Sequence, residues 1–165
     1  MSASAIVMAM IELIDATKKD KVEVVDRLMN LVSFLRELDP YYTKNKKRLR
    51  EHLSRYFDEK VGKSDAKIVL AKIDGKIIGV ATAKIKEASP FLDGKKVGWL
   101  DMAFIDKRYR SKGISTMLID DCLAWFKRKM IRHVHLMVDA RNEIAIKAWS
   151  KAGFSDFVKE MKLDL

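Results

Sequence analysis

Two periodicities divide the chain. From Lys21 to Leu38 the apolar residues Val25, Leu28, Met29, Val32 and Leu35 recur at three- and four-residue intervals, which predicts an amphipathic helix. Asp39-Pro40 ends it, because the residue before a proline is pushed out of the helical region. A second helix is expected from about Thr43 to Lys60, with Leu49, Leu53, Tyr56 and Phe57 inward and Gly62 closing it. The period then changes: Lys67 to Ile73 and Lys76 to Lys86 read as strands joined at Asp74-Gly75, a dipeptide suited to a tight hairpin turn. A loop with Pro90, Asp93 and Gly94 leads to a strand from Val97 to Ile105. Helix Gly113 to Lys129, strand His133 to Val138, helix Asn142 to Ala152 and a final strand near Phe157 to Leu163 complete the series. Ahead of all these, Ile6 to Ile14 reads as a buried strand; the apolar run from Ala5 is too short to span a bilayer and lacks the basic start of a signal peptide.

Strands early and a βαβα run late predict an α/β (mixed α+β) fold, a mixed sheet with helices on its faces. The 165 residues, 48% apolar, suffice for one core, so a single domain over residues 1–165 is expected, with no repeat or linker. The lone Cys122 excludes an internal disulfide and suits a reducing cytoplasm. It shares an apolar helical stripe with Leu118 and Trp125 or Phe126, the setting of a buried thiol and not of a nucleophile.

Charge raises the question of a polyanionic partner: 33 Lys and Arg against 23 Asp and Glu give a net charge of +10. The cations are spread along the chain without a basic tail, and no recognised nucleic-acid motif accompanies them, so nucleic acid is disfavoured. The run Lys44 to Arg50 places cations at a helix start, against its dipole, at about 0.3 to 1 kcal/mol each. An acidic acceptor, a nucleic acid or plain solvation would compensate.

The densest chemistry lies in Ile105 to Ser115, IDKRYRSKGIS, directly after the apolar run Trp99 to Phe104. A strand feeds a basic turn that opens a helix. Arg110 and Lys112 bring positive charge, Gly113 allows close backbone approach, and the amides of Ser111 to Ser115, including Ile114, have no partner within the helix that follows. Such amides at the positive end of a helix dipole bind phosphates.

The turn resembles the acetyl-CoA-binding motif of the GCN5-related N-acetyltransferase superfamily, (Arg or Gln)-x-x-Gly-x-(Gly or Ala) after a strand and an aromatic residue. Tyr109, Arg110, Gly113 and Ile114 match, and Ser115 stands where Gly or Ala is usual. A second family pattern, Asn-x-x-Ala followed by an aromatic residue and Gly-Phe, is matched by Asn142, Ala145, Trp149, Gly153 and Phe154.

The resemblance implies an acetyltransferase-type, mostly antiparallel twisted sheet with a splayed strand pair. It implies acetyl-CoA as cosubstrate, held by the turn and Asn142, with the backbone of Ala103, Phe104 and Ile105 lining the pantetheine arm. It also implies an amine acceptor, small molecule or protein, attacked directly in a ternary complex, and it leaves a homodimer open.

That chemistry needs a neutral amine, and for a lysine of pKa about 10.4 neutralisation at pH 7 costs roughly 4.6 kcal/mol. Asp101 is the only carboxylate in the strand before the turn and resembles the base position of several family members; a salt-bridged or solvated strand residue is the plain alternative. Trp149 stands where the family usually has an acidic tyrosine, and indole cannot protonate a leaving thiolate near neutral pH. Tyr41 and Tyr42 are alternative phenols. His133 and His135 share a strand face, but no third ligand joins them, so no metal is expected. Two further readings stay open: a catalytically silent acetyl-CoA sensor, and a basic nucleic-acid-binding module.

Overall fold

The computed structural model describes residues 10–164. Five strands, β1 (Glu12–Asp15), β2 (Ala66–Ile73), β3 (Lys76–Glu87), β4 (Lys96–Ile105) and β5 (Val134–Leu136), form one sheet in the order β1-β2-β3-β4-β5. The first four are antiparallel neighbours and β5 runs parallel to β4. Helices α1 (Lys21–Leu38), α2 (Lys46–Lys60), α3 (Ile114–Arg128) and α4 (Glu143–Lys151) complete the fold. A parallel pair needs a crossover, and α3 supplies it between β4 and β5.

Strand alternation divides the interior into two cores. Val69, Ala71, Ile78, Ala81, Ala83 and Leu100 pack with Ile114, Leu118, Cys122 and Phe126 of α3. Ile68, Leu70, Ile77 and Val80 pack with Val24, Val25 and Leu28 of α1 and Leu53 and Phe57 of α2. Both faces of the sheet centre are thus covered, which is why β2 reads as an unbroken apolar run from Ile68 to Ala71. Close approach of α3 depends on Gly98: a Cβ there would meet the Phe126 ring at 2.6 Å.

The helix starts are set by polar side chains. A box of Thr17 and Asp20, with the Thr17 amide and hydroxyl each 2.8 Å from Asp20 Oδ2, precedes α1. Asn45 Oδ1 accepts from the Arg48 amide at 3.0 Å, so α2 starts at Lys46, not near Thr43.

Three strand expectations are corrected. The first strand occupies Glu12–Asp15 among the described residues, while positions 6–9 of the expected Ile6 to Ile14 lie outside them. The fifth shrinks from His133–Val138 to Val134–Leu136, because β4, its only ladder partner among the described residues, matches it over three positions. Phe157 to Leu163 forms no strand. The segment meets β5 through side chains, Phe157 edge-on to His135 at 5.3 Å, and Lys162 turns to Asp39 at 3.8 Å, so alternation without an available ladder yields irregular chain.

Candidate active site

The last residue of β4 paired with β5 is Leu100, opposite Leu136. On its other side β4 stays paired with β3 as far as Ile105 opposite Gly79. From Asp101 to Ile105 the outer edge of β4 therefore has no ladder partner among the described residues, and a cleft opens between the two strands. Ala103 and Ile105 turn their side chains to the α3 core and Phe104 to the α1 core. What they offer the cleft is backbone, the group that an extended amide-bearing ligand can pair.

Asp101 stands at the mouth of that cleft. Thr82 pairs with Met102 and Ala83 with Leu100, so Asp101 is the extra residue of a β-bulge, a device that re-aims a side chain. Its carboxylate is held on both oxygens: Lys84 Nζ lies 2.9 Å from Oδ1, and Tyr56 donates to Oδ2 at 2.7 Å. The phenol oxygen is also 3.1 Å from Oγ1 of the fully buried Thr82. Burial, and then the Asp101 charge, push the Tyr56 phenol far above its ordinary range, so it stays a neutral donor. Each carboxylate oxygen keeps a further lone pair, and Asp101 can accept another N–H without losing these partners.

The basic turn carries its amides on strained backbone. A short 3-10 turn, Lys107–Tyr109, follows β4, and Gly113 caps α3 in the left-handed region at φ 79°. Ser111 also lies there, at φ 59°, an uncommon conformation for a residue with a Cβ. The amides of Ser111, Lys112, Gly113, Ile114 and Ser115 make no hydrogen bond to the described residues. Arg110 contributes differently from a free cation. Its Nε donates to the Ile105 carbonyl at 3.0 Å and its guanidinium lies 5.5 Å from the Phe34 ring and 5.6 Å from that of Phe104, which fixes the turn against β4 and α1.

Asn142 is the N-cap of α4, its Oδ1 accepting from the Ala145 amide at 3.1 Å; its NH₂ group donates to none of the described residues. Trp149 packs on the α3 core with its ring edge-on to Phe154 at 5.8 Å. Tyr42 donates to Asp139 Oδ2 at 3.0 Å, while Tyr41 is exposed with Lys162 4.6 Å from its ring. Arg141 joins these loops, bonding Asp139 through Nε and Nη2, both at 2.9 Å, and Asp39 through Nη1 at 2.5 Å. The bonds from Arg141 hold the Asp139 carboxyl far below the usual carboxylate range.

His135 stacks on Trp99 at 5.9 Å, and burial followed by the charge of Lys86 lowers its pKa. Cys122 is fully buried and its thiol is pushed up to about 12 by desolvation and then Asp121, unfit for nucleophilic work. Sequence reasoning missed Tyr56 and Lys84 as partners of Asp101. The signals were present: a tyrosine on an inward helix face needs a partner for its hydroxyl, and Thr82 and Lys84 share one face of β3.

The sequence model of the acetyltransferase (GNAT) family matches residues 31–154. An uncharacterized N-acetyltransferase of Methanocaldococcus jannaschii is 27% identical over 121 residues; the match takes 73% of this chain and about half (51%) of that protein. The fold is shared with a tetramutant of a Bacillus halodurans protein, at a TM-score of 0.81 and 18% identity, over 93% of this chain and 99% of that one. It is shared also with a predicted acetyltransferase of Clostridium acetobutylicum solved with acetyl-CoA, at 0.74 and 20%, over 94% and 96%. With its family model matched over three-quarters of its length, the chain belongs to the GNAT acetyltransferase family.

Proposed function

We propose that the chain moves an acetyl group from acetyl-CoA to a primary amine by direct attack in a ternary complex. The observation that carries this is the coincidence of three features on β4 and its exit: an unpaired backbone edge from Asp101 to Ile105, a carboxylate at its mouth, and free amides at its far end. Acetyl-CoA fits them, since a pyrophosphate suits the amides of Ser111 to Ser115 and a linear diamide suits the edge at Ala103 to Ile105. Arg110 then fixes the turn, Lys112 adds charge, and the NH₂ group of Asn142 is a further donor.

Bound there, acetyl-CoA supplies the activated acyl group. The chain's own work is to hold the acceptor and take its proton. Asp101, anchored by Tyr56 and Lys84, accepts the ammonium proton at an oxygen lone pair left free by those partners. Trp149 offers no proton, so departure of the thiolate relies on water.

Thiol release across a panel of amines, with intersecting initial-velocity lines, tests the ternary route. The packing of Trp149 on Phe154 favours one second reading, a silent acetyl-CoA sensor. A parent protein that binds acetyl-CoA yet acetylates no amine until Trp149→Tyr is introduced would establish the sensor and end the enzyme reading.

A further inference from the structure

The group that the cleft mouth presents to Asp101 is itself a primary amine. Lys84 reaches across from β3, where it pairs in register with Trp99, and its Nζ sits 2.9 Å from Asp101 Oδ1. Its side chain is only 28% exposed, so it is held at the site and still accessible to a ligand. The β4–β5 gap begins at the residue that holds it, because Leu100 is the last paired position. Lys86, on the same strand face, lies 3.4 Å from the centre of the Trp99 ring and is engaged there, which leaves Lys84 as the amine on the carboxylate.

We propose that Lys84 is a self-acetylation site, its amine modified within the same molecule by the acetyl-CoA bound in the cleft. The inference rests on the acetyltransferase reading above. In the step, a bond forms between Lys84 Nζ and the acetyl carbonyl carbon, and the thioester C–S bond breaks. Of the two protons that the ammonium loses, one passes to Asp101 and on to water, and the other ends on the CoA sulfur. A tethered amine beside its base gains from proximity as an added amine does not. The product is a neutral amide, so the Lys84–Asp101 ion pair is lost and Asp101 keeps Tyr56 as its partner.

Purified protein is incubated with acetyl-CoA, and acetylation at each lysine is followed by peptide mass spectrometry. Lys84 is expected to react at least roughly tenfold faster than the exposed Lys63 and Lys95, with a rate constant independent of protein concentration, as an intramolecular reaction requires. Asp101→Asn removes that preference. A second readout needs no turnover: free CoA, which cannot transfer an acetyl group, is expected to protect Lys84 from acetic anhydride while leaving Lys63 and Lys95 unprotected. Equal labelling of the three lysines in both experiments overturns the proposal. Acetylation of an added amine with Lys84 unmodified overturns it while the acetyltransferase reading stands, and absence of any CoA-induced thermal shift overturns both.

Discussion

The Tyr56 hydroxyl donates to Asp101 Oδ2 over 2.7 Å, joining the inner face of α2 to the bulge of β4. A helix side chain thereby orients the candidate base from the side opposite Lys84. Tyr56→Phe removes a buried hydrogen bond to a charged group, and a loss of about 1.5–3 kcal/mol in urea unfolding is expected. The raised phenol pKa has its own sign. The folded state binds that proton more tightly than the unfolded one, so its stabilisation is complete below about pH 10 and fades as pH rises toward the folded value. The Tyr56 phenol is expected to resist alkaline titration followed by phenolate absorbance.

Replacing the base keeps its shape and removes its basicity in Asp101→Asn. A rate loss of about 100-fold or more at neutral pH is expected, recovering as pH rises and the acceptor loses its proton unaided. A pH–rate profile for an added amine checks this. Identical profiles for variant and parent would take Asp101 out of the mechanism.

Gly113 serves the turn through its backbone, at φ 79° with its amide unpaired. Valine there both strains that conformation and shields the amides. Acetyl-CoA at a hundred times its dissociation constant adds about 2.7 kcal/mol of stability to a folded state that alone binds it. The resulting rise in Tm is expected to vanish in Gly113→Val and to shrink without vanishing in Arg110→Ala, whose bond to Ile105 shapes the turn.

The frame was legible wherever a local pattern sufficed. Val25, Leu28 and Phe57 follow helical spacing onto one core, Asp74-Gly75 closes the β2–β3 hairpin, and the glycine of the phosphate-type turn adopts its left-handed conformation. Relations that need two distant segments were not legible. The Asp101 bulge depends on a register shift against Thr82 and Ala83, and its contact with Tyr56 spans 45 positions. Phe157 to Leu163 shows the converse: alternation fits a strand, but β5 gives it side-chain contact and no ladder. Motif order puts Trp149 where the family usually has an acidic tyrosine, but its edge-on contact with Phe154 is a tertiary relation that no local pattern carries.

Arg141 ties Asp139, after β5, to Asp39, after α1, and Tyr42 completes the clasp beside Asn142, the cap of α4. Bonds from Arg141 lower the Asp139 pKa, and the Tyr41 amide together with Arg141 lowers that of Asp39. Both carboxyls thus release protons more readily when folded than when unfolded. A depressed carboxyl stabilises the fold above its unfolded pKa, near 3.8, and loses that contribution as pH falls toward the folded value. Arg141→Ala leaves Asp139 with Tyr42 and the backbone amide of residue 141, so the pH dependence of stability below about pH 4 should weaken, and the parent's advantage over the variant, largest at neutral pH, should shrink in acid. Denaturant midpoints for the two proteins at neutral pH and at successive acid pH values measure this. A constant difference between them at every pH would show that Arg141 acts by packing and not through its carboxylate partners.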